Sequence, residues 1–211
     1  MGEPLRQLGK FLAHCAGQAV TEPVVVLGNE RQFLSPLLRV HRERGGERFV
    51  RDGEARPVDC IDGWHDPSTD LCWQDPPDET MRSWDGAMAC CDGLSLGGSD
   101  DWRVPTIDEL RSLGRGCPGW ATGGACGVAG ACLELACWTD LCDGCPYRGG
   151  PGSAGAYWPS GLRDTEPRWY WSSSLVADDS RMRWVVGFEG GYVGVHGHTV
   201  TGPVRCVRHA S

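Results

Sequence analysis

From Trp184 onward, apolar and polar residues alternate along the chain. Trp184, Val186 and Phe188 share one phase, and Val193 and Val195 share one after Gly190-Gly191. A period of two over such runs marks a half-buried strand. Gly-Gly between them supplies the positive φ that a tight hairpin needs. With Tyr170-Trp171-Ser172-Ser173-Ser174 before and Val204-Arg205-Cys206-Val207-Arg208 after, residues 170 to 208 predict an antiparallel meander with one buried face. Glu189, Tyr192, His196 and His198 fall in its less buried phases or in its loops.

Helical spacing occurs twice upstream. Ser83 is a candidate N-cap, and Trp84, Ala87, Met88, Cys91 and Leu94 then form one apolar stripe with Cys90 beside it. The inner Cys91 is expected to bond to the core sheet and Cys90 to something peripheral. Thr106 and Glu109 form a capping box, in which each side chain satisfies a free backbone N–H at the helix start; Leu110 and Leu113 continue the apolar face and Gly114 stops it. Earlier still, Arg48-Phe49-Val50 reads as a strand, Pro67 to Asp70 as a tight turn, and Leu71 to Gln74 as an edge strand. In the first 46 residues, Val24 to Leu27 reads as a short strand. Ser35-Pro36 reads as the cap of a short helix carrying Leu37, Leu38 and Val40, with Arg39, Arg42 and Arg44 on it, ended by Gly45-Gly46. The organisation expected is an N-terminal segment, residues 1–46, followed by a domain at 47–211.

Between residues 114 and 168 periodicity gives way to glycine and cysteine. A structureless loop of that length needs a staple, and Cys117, Cys126, Cys132, Cys137, Cys142 and Cys145 can supply three internal disulfides. Six cysteines allow 15 pairings, among which sequence cannot choose.

Twelve cysteines in all, an even number, point to a disulfide framework formed in an oxidising compartment. The start of the chain has Arg6 and Lys10 before a short apolar run at Phe11 to Ala13, which is too short for a secretory core, so the route of export is left open. No stretch is long and apolar enough to span a bilayer. A net charge of -8 argues against nucleic acid or an anionic membrane as partner. No feature sets an oligomeric state.

Chemistry-bearing groups are sparse. His196 and His198 lack the further ligand that zinc requires, and Cys142-Asp143-Gly144-Cys145 has the spacing of only half a zinc site. Ser172, Ser173 and Ser174 have no adjacent base. Trp102, Trp171 and Trp184 read as core, whereas Trp158, Trp169 and Tyr192 are candidates for exposed aromatic platforms.

Taken together, Leu71-Cys72-Trp73-Gln74, Ser83-Trp84 with Ala87 and Cys91, Gly97-Gly98 before Asp101-Trp102-Arg103-Val104-Pro105-Thr106, Glu109-Leu110, and the motifs at 170–174, 184–188 and 204–208 resemble the Lcl C-terminal domain family. The resemblance covers roughly residues 55 to 208. It implies an α+β, C-type-lectin-like fold: two helices packed on a short twisted antiparallel sheet, under a long loop region. It also implies a ligand-binding or adhesive role at a cell surface or in a secreted product, and a disulfide between Cys91 and Cys206. Cys72 and Cys90 depart from the family pattern and are expected to form an added pair.

Calcium-dependent lectin chemistry is not expected, because the only asparagine is Asn29 and Glu166-Pro167-Arg168 sets an arginine where a cation would sit. The function expected is a non-catalytic extracellular, surface or periplasmic module that binds a glycan or a protein, without metal or cofactor. Asp178, Asp179, Arg181, Arg183, Glu189, Tyr192, His196 and His198 are its candidate ligand residues. The alternatives are a metal-dependent oxidoreductase akin to formylglycine-generating enzymes, with Cys142 and Cys145 as copper ligands, and a purely structural disulfide-rich domain.

Overall fold

The computed structural model describes the backbone of strands β1 (Leu38–Glu43) and β2 (Gly46–Arg51), and residues 60–210 apart from 164, 165 and 167. Two compact units are present: one, Gln18–Asp59, contains β1 and β2, and the other contains Cys60–Ser211. β1 and β2 are antiparallel, with Val40 opposite Phe49 and Glu43 opposite Gly46. This corrects the helix expected after Ser35-Pro36. Leu38 and Val40 are spaced two apart, which suits a strand as well as a helix, and a short apolar run does not discriminate between them. The hairpin spans the boundary expected at residue 46. The strand expected at Val24 to Leu27, the cap at Ser35-Pro36 and the place of Arg44 lie outside the described residues.

In the second unit, β3 (Gly63–Asp66) and β4 (Leu71–Gln74) form a hairpin whose turn is built by local chemistry. The buried Asp66 carboxylate accepts hydrogen bonds from the backbone N–H and the hydroxyl of Ser68, at 3.0 and 2.7 Å, the use expected of Asp at the start of a turn. β4 is not an edge strand. It lies between β3 and the last strand, β10 (Val207–His209), and all four of its residues are buried. β5 (Asp78–Arg82) pairs with β9 (Gly202–Val204).

Helix α1 (Trp84–Asp92) starts where Ser83 Oγ accepts from the Gly86 N–H, and α2 (Ile107–Ser112) starts in the predicted capping box. Glu109 in that box also takes two bonds from Arg103, at 2.7 and 2.5 Å. Burial alone would raise the Glu109 pKa, but the Arg103 and Thr106 bonds outweigh it and hold the carboxyl below its ordinary value.

The meander consists of β6 (Trp169–Leu175), β7 (Met182–Gly187) and β8 (Tyr192–Gly197), in the order β6-β7-β8. The phases read from sequence hold, with Trp184 opposite Val195 and Val186 opposite Val193. Two expectations fail. The sheet is buried on both faces: Trp184, Val186, Val193 and Phe188 belong to a large core with Ile107, Leu110 and Trp158, whereas Trp171 and Val185 join a second core with Ala87, Cys91, Trp102 and Val204. The chain after β8 also leaves the meander to pair elsewhere, through β9 and β10. Alternation shows that a strand has two environments, but not that the second lies beneath a helix.

The Cys91–Cys206 disulfide ties α1 to the C-terminal segment, with Cα atoms 5.4 Å apart. Cys72 pairs with Cys60, not with Cys90, which overturns the expected added pair. Cys60 stands only 12 residues before Cys72, across the β3–β4 hairpin, and so is the nearer partner. Cys90 is disulfide-bonded too, and none of the other ten described cysteines is its partner.

Among the described residues between α2 and β6 the helical structure is three short 3-10 turns, Leu135–Cys137, Asp140–Cys142 and Ser153–Gly155. Three disulfides within it, Cys117–Cys145, Cys126–Cys142 and Cys132–Cys137, supply the expected staple. A buried arginine completes the anchorage. Arg111, on α2, donates to the carbonyls of Trp120 (2.7 Å), Ala121 (3.0 Å), Cys126 (3.1 Å) and Val128, so one guanidinium gathers the first limb of the insert. Five N–H donors in a rigid fork suit that task.

Candidate functional site

The β6 register shifts between Trp171 and Leu175, so Ser172, Ser173 and Ser174 form an irregular stretch opposite β7. Their hydroxyls are structural. Ser172 donates to the Trp184 carbonyl at 2.8 Å, Ser173 to the Pro105 carbonyl at 3.2 Å, and Ser174 accepts from the Ile107 N–H at 3.0 Å. The shift locks the start of α2 to the sheet and aims the turn between β6 and β7.

That turn, the end of β8 and the first residue of α1 meet at one corner. The His198 N–H donates to the Arg181 carbonyl (2.9 Å), and the Trp84 N–H donates to the His198 carbonyl (3.0 Å). The Trp84 indole N–H reaches the Ser172 carbonyl at 2.8 Å. Arg183 lies over the Trp84 ring, 4.3 Å from its centroid, and stands opposite His196 in the β7–β8 register. The His196 ring in turn stacks at 4.3 Å on Trp169. Burial pushes the His196 pKa below its ordinary value. Asp179 takes two side-chain bonds from the exposed Arg181, at 3.1 and 3.0 Å, which lower the Asp179 pKa and raise that of Arg181. The Asp178 carboxylate accepts from the Leu135 N–H at 2.9 Å and so joins the insert to the corner. Six of the eight candidate residues, Asp178, Asp179, Arg181, Arg183, His196 and His198, therefore come together here.

Glu189 and Tyr192 do not join them. They sit at the β7–β8 turn, at the far end of a six-residue strand, about 20 Å away at the usual rise per residue. The Tyr192 hydroxyl donates to Glu189 Oε1 at 3.1 Å. Burial raises both pKa values, and the nearby Glu189 charge raises that of Tyr192 further. The Glu189 Oε2 atom is buried without a hydrogen-bond partner among the described residues. The insert closes over this turn: the Cys145 and Arg148 N–H groups donate to the carbonyls of Gly190 (2.7 Å) and Glu189 (2.6 Å).

The aromatic platforms fare unevenly. Trp158 is fully buried among Tyr170, Phe188 and the Arg205 guanidinium, which rules it out as a surface platform. It lies near the end of the insert and packs inward against the sheet, with Gly152 of the same insert close to its ring. Trp169 is half-buried, with His196 against its ring. Tyr192 is half-buried as well. Sequence reasoning missed Trp84, read only as the first position of a core stripe. Its place in the first turn of α1 leaves it half-exposed beneath Arg183, and an aromatic at the end of a stripe was the available signal.

Residues 63–208 match the family model of the Lcl C-terminal domain. The chain belongs to the Lcl C-terminal domain family. No curated protein matches the chain. The Lcl C-terminal domain match begins with β3 and ends within β10, so it includes the Cys91–Cys206 tie, the stapled insert and the whole corner, and leaves β1, β2 and Cys60 outside.

Within this Lcl C-terminal domain the chemistry weighed from sequence finds few free groups. Cys142 and Cys145 each bond to a different cysteine, Cys126 and Cys117, so neither offers a thiolate to copper or zinc. Among the described residues no three His, Cys, Asp or Glu side chains converge on a metal-sized site. Glu166 and Arg168 pair with each other. Together with Pro77, Glu79, Met81 and Pro203 they line an open cleft of about 390 Å³. Among the described residues no helix is long and apolar enough to cross a membrane.

Proposed function

We propose that this Lcl C-terminal domain is a non-catalytic ligand-binding module on a C-type-lectin-like scaffold, displayed at a surface or held in an exported compartment, with a glycan or a protein as ligand. Family membership supports a surface or adhesion-type module. Two helices packed on antiparallel sheets, with a long stapled loop region, suit the scaffold. Disulfides at every described cysteine suit an oxidising location.

The observation that carries the reading is the corner itself. Arg183 over Trp84, His196 on Trp169 and the Asp179–Arg181 pair place cationic, aromatic and hydrogen-bonding groups side by side on a turn held by a rigid sheet. Rigidly held loops are where binding groups concentrate, and preset side chains lose less freedom on binding. Catalysis is disfavoured because the three serine hydroxyls hold backbone groups and the candidate metal-binding cysteines are bridged. The net charge of -8 leaves neutral sugars and proteins as plausible as anionic glycans.

The test is an array of glycans and extracellular proteins probed with the oxidised protein. Saturable binding to one ligand class is expected, with Arg181→Ala/Arg183→Ala/His196→Ala weakening it at least about tenfold, the loss of one or two good polar contacts. Binding unchanged in the triple variant would remove the corner from the site. Binding to nothing on the array would favour the purely structural alternative.

A further inference from the structure

One disulfide differs from the rest in where it sits. Cys132 is exposed and Cys137 half-buried, whereas each of the other four described bridges contains at least one cysteine no more than 4 % exposed. Exchange proceeds by in-line attack of a thiolate on a disulfide sulfur, so access decides which bridge reacts.

The loop that this bridge closes holds the corner in place. The Leu133 carbonyl accepts from the Ala177 N–H at 2.8 Å and from the Trp184 indole N–H at 3.1 Å, and the Leu135 N–H donates to Asp178 at 2.9 Å. The four residues between the two cysteines carry these contacts to the turn between β6 and β7.

We propose that Cys132–Cys137 is a thiol-exchange site through which a dithiol reductant loosens the β6–β7 turn, and with it the corner assigned above to ligand binding. One thiolate of the dithiol attacks Cys132 Sγ, forming a mixed disulfide as the S–S bond breaks and Cys137 leaves as a thiolate. The second thiolate of the dithiol then attacks its own sulfur in the mixed disulfide and releases Cys132. The dithiol ends as a disulfide, its two electrons reside on the two protein thiols, and the protons it loses are taken up there. A separation of five residues keeps the two thiols close, so the bridge reforms readily on reoxidation. The regulatory part of this inference rests on the binding reading, whereas the exchange chemistry does not.

The test uses the full chain and dithiothreitol as probe. Partial reduction, quenching with an alkylating agent and peptide mapping should label Cys132 and Cys137 at least about tenfold faster than Cys91 and Cys206. Hydrogen exchange on the partially reduced protein, and on Cys132→Ser/Cys137→Ser, should speed up at residues 133–138 and 176–181 but not in α1. Labelling of Cys132 and Cys137 no faster than of Cys91 and Cys206 would overturn the proposal, as would unchanged exchange at 176–181 in both preparations. Neither readout involves a ligand, so failure on the binding array would count against the binding reading alone.

Discussion

Replacing Cys91 and Cys206 together with alanine should cost this domain much of its stability. The bridge spans 115 residues. In the loop-entropy account, a closed loop of that length contributes about 5 kcal/mol at 25 °C. The other disulfides change this little: a path through Cys117–Cys145 shortens the loop to about 90 residues, and the logarithmic dependence lowers the figure only to about 4.5 kcal/mol. Both residues are fully buried, and alanine leaves no polar group stranded there. Native stabilities run about 5 to 15 kcal/mol, so the double variant should fold poorly and melt roughly 10 to 20 °C below the wild type in a calorimetric scan, with both proteins oxidised. Cys132→Ser/Cys137→Ser is the control, because its short loop is worth only about 2 kcal/mol. Equal shifts for the two pairs, or a shift below about 3 °C for the long one, would refute the reasoning.

Further perturbations test other parts of the account. Arg111→Met strands the buried carbonyls of Trp120, Cys126 and Val128 and should cost about 3 kcal/mol, with faster hydrogen exchange at residues 120–128. Gly191 has φ +60° and an added Cβ would meet the buried Trp120 indole nitrogen, so Gly191→Ala should lose about 2 kcal/mol or more in a denaturant titration. Burial raises the folded-state pKa of Glu189 above its ordinary 4.5, so the stability this group contributes is present below that value and is lost as pH rises through the folded pKa. Glu189→Gln should accordingly gain stability over the wild type at pH 7 and converge with it below about pH 4, measured by melting across pH.

What could be read from sequence was local. The Thr106–Glu109 box and the Ser83 cap are contacts between residues three apart, and the phases of β7 and β8 depend on side chains two apart; all of these stand in the structure. The insert needed bridges, and its six cysteines pair among themselves. Features set by distant partners were hidden. β4 is a central strand because β10 arrives more than 130 residues later, and the second face of the meander is buried because α1 is tied across it at Cys91. Trp158 and Trp169 look alike in the sequence. They differ because the former packs inward against Tyr170, Phe188 and Arg205, whereas the latter lies at the margin of the sheet beside His196. Six candidate ligand residues converge because they flank two ends of strands that pair, and Glu189 and Tyr192 diverge because the same pairing sends their turn to the opposite end.

Every part of this account leans on the same oxidised scaffold, and non-reducing peptide mapping of the native protein examines it directly. The linkages expected are Cys60–Cys72, Cys91–Cys206, Cys117–Cys145, Cys126–Cys142 and Cys132–Cys137. Recovery of Cys91 or Cys206 as a free thiol, or joined to another cysteine, would contradict the account.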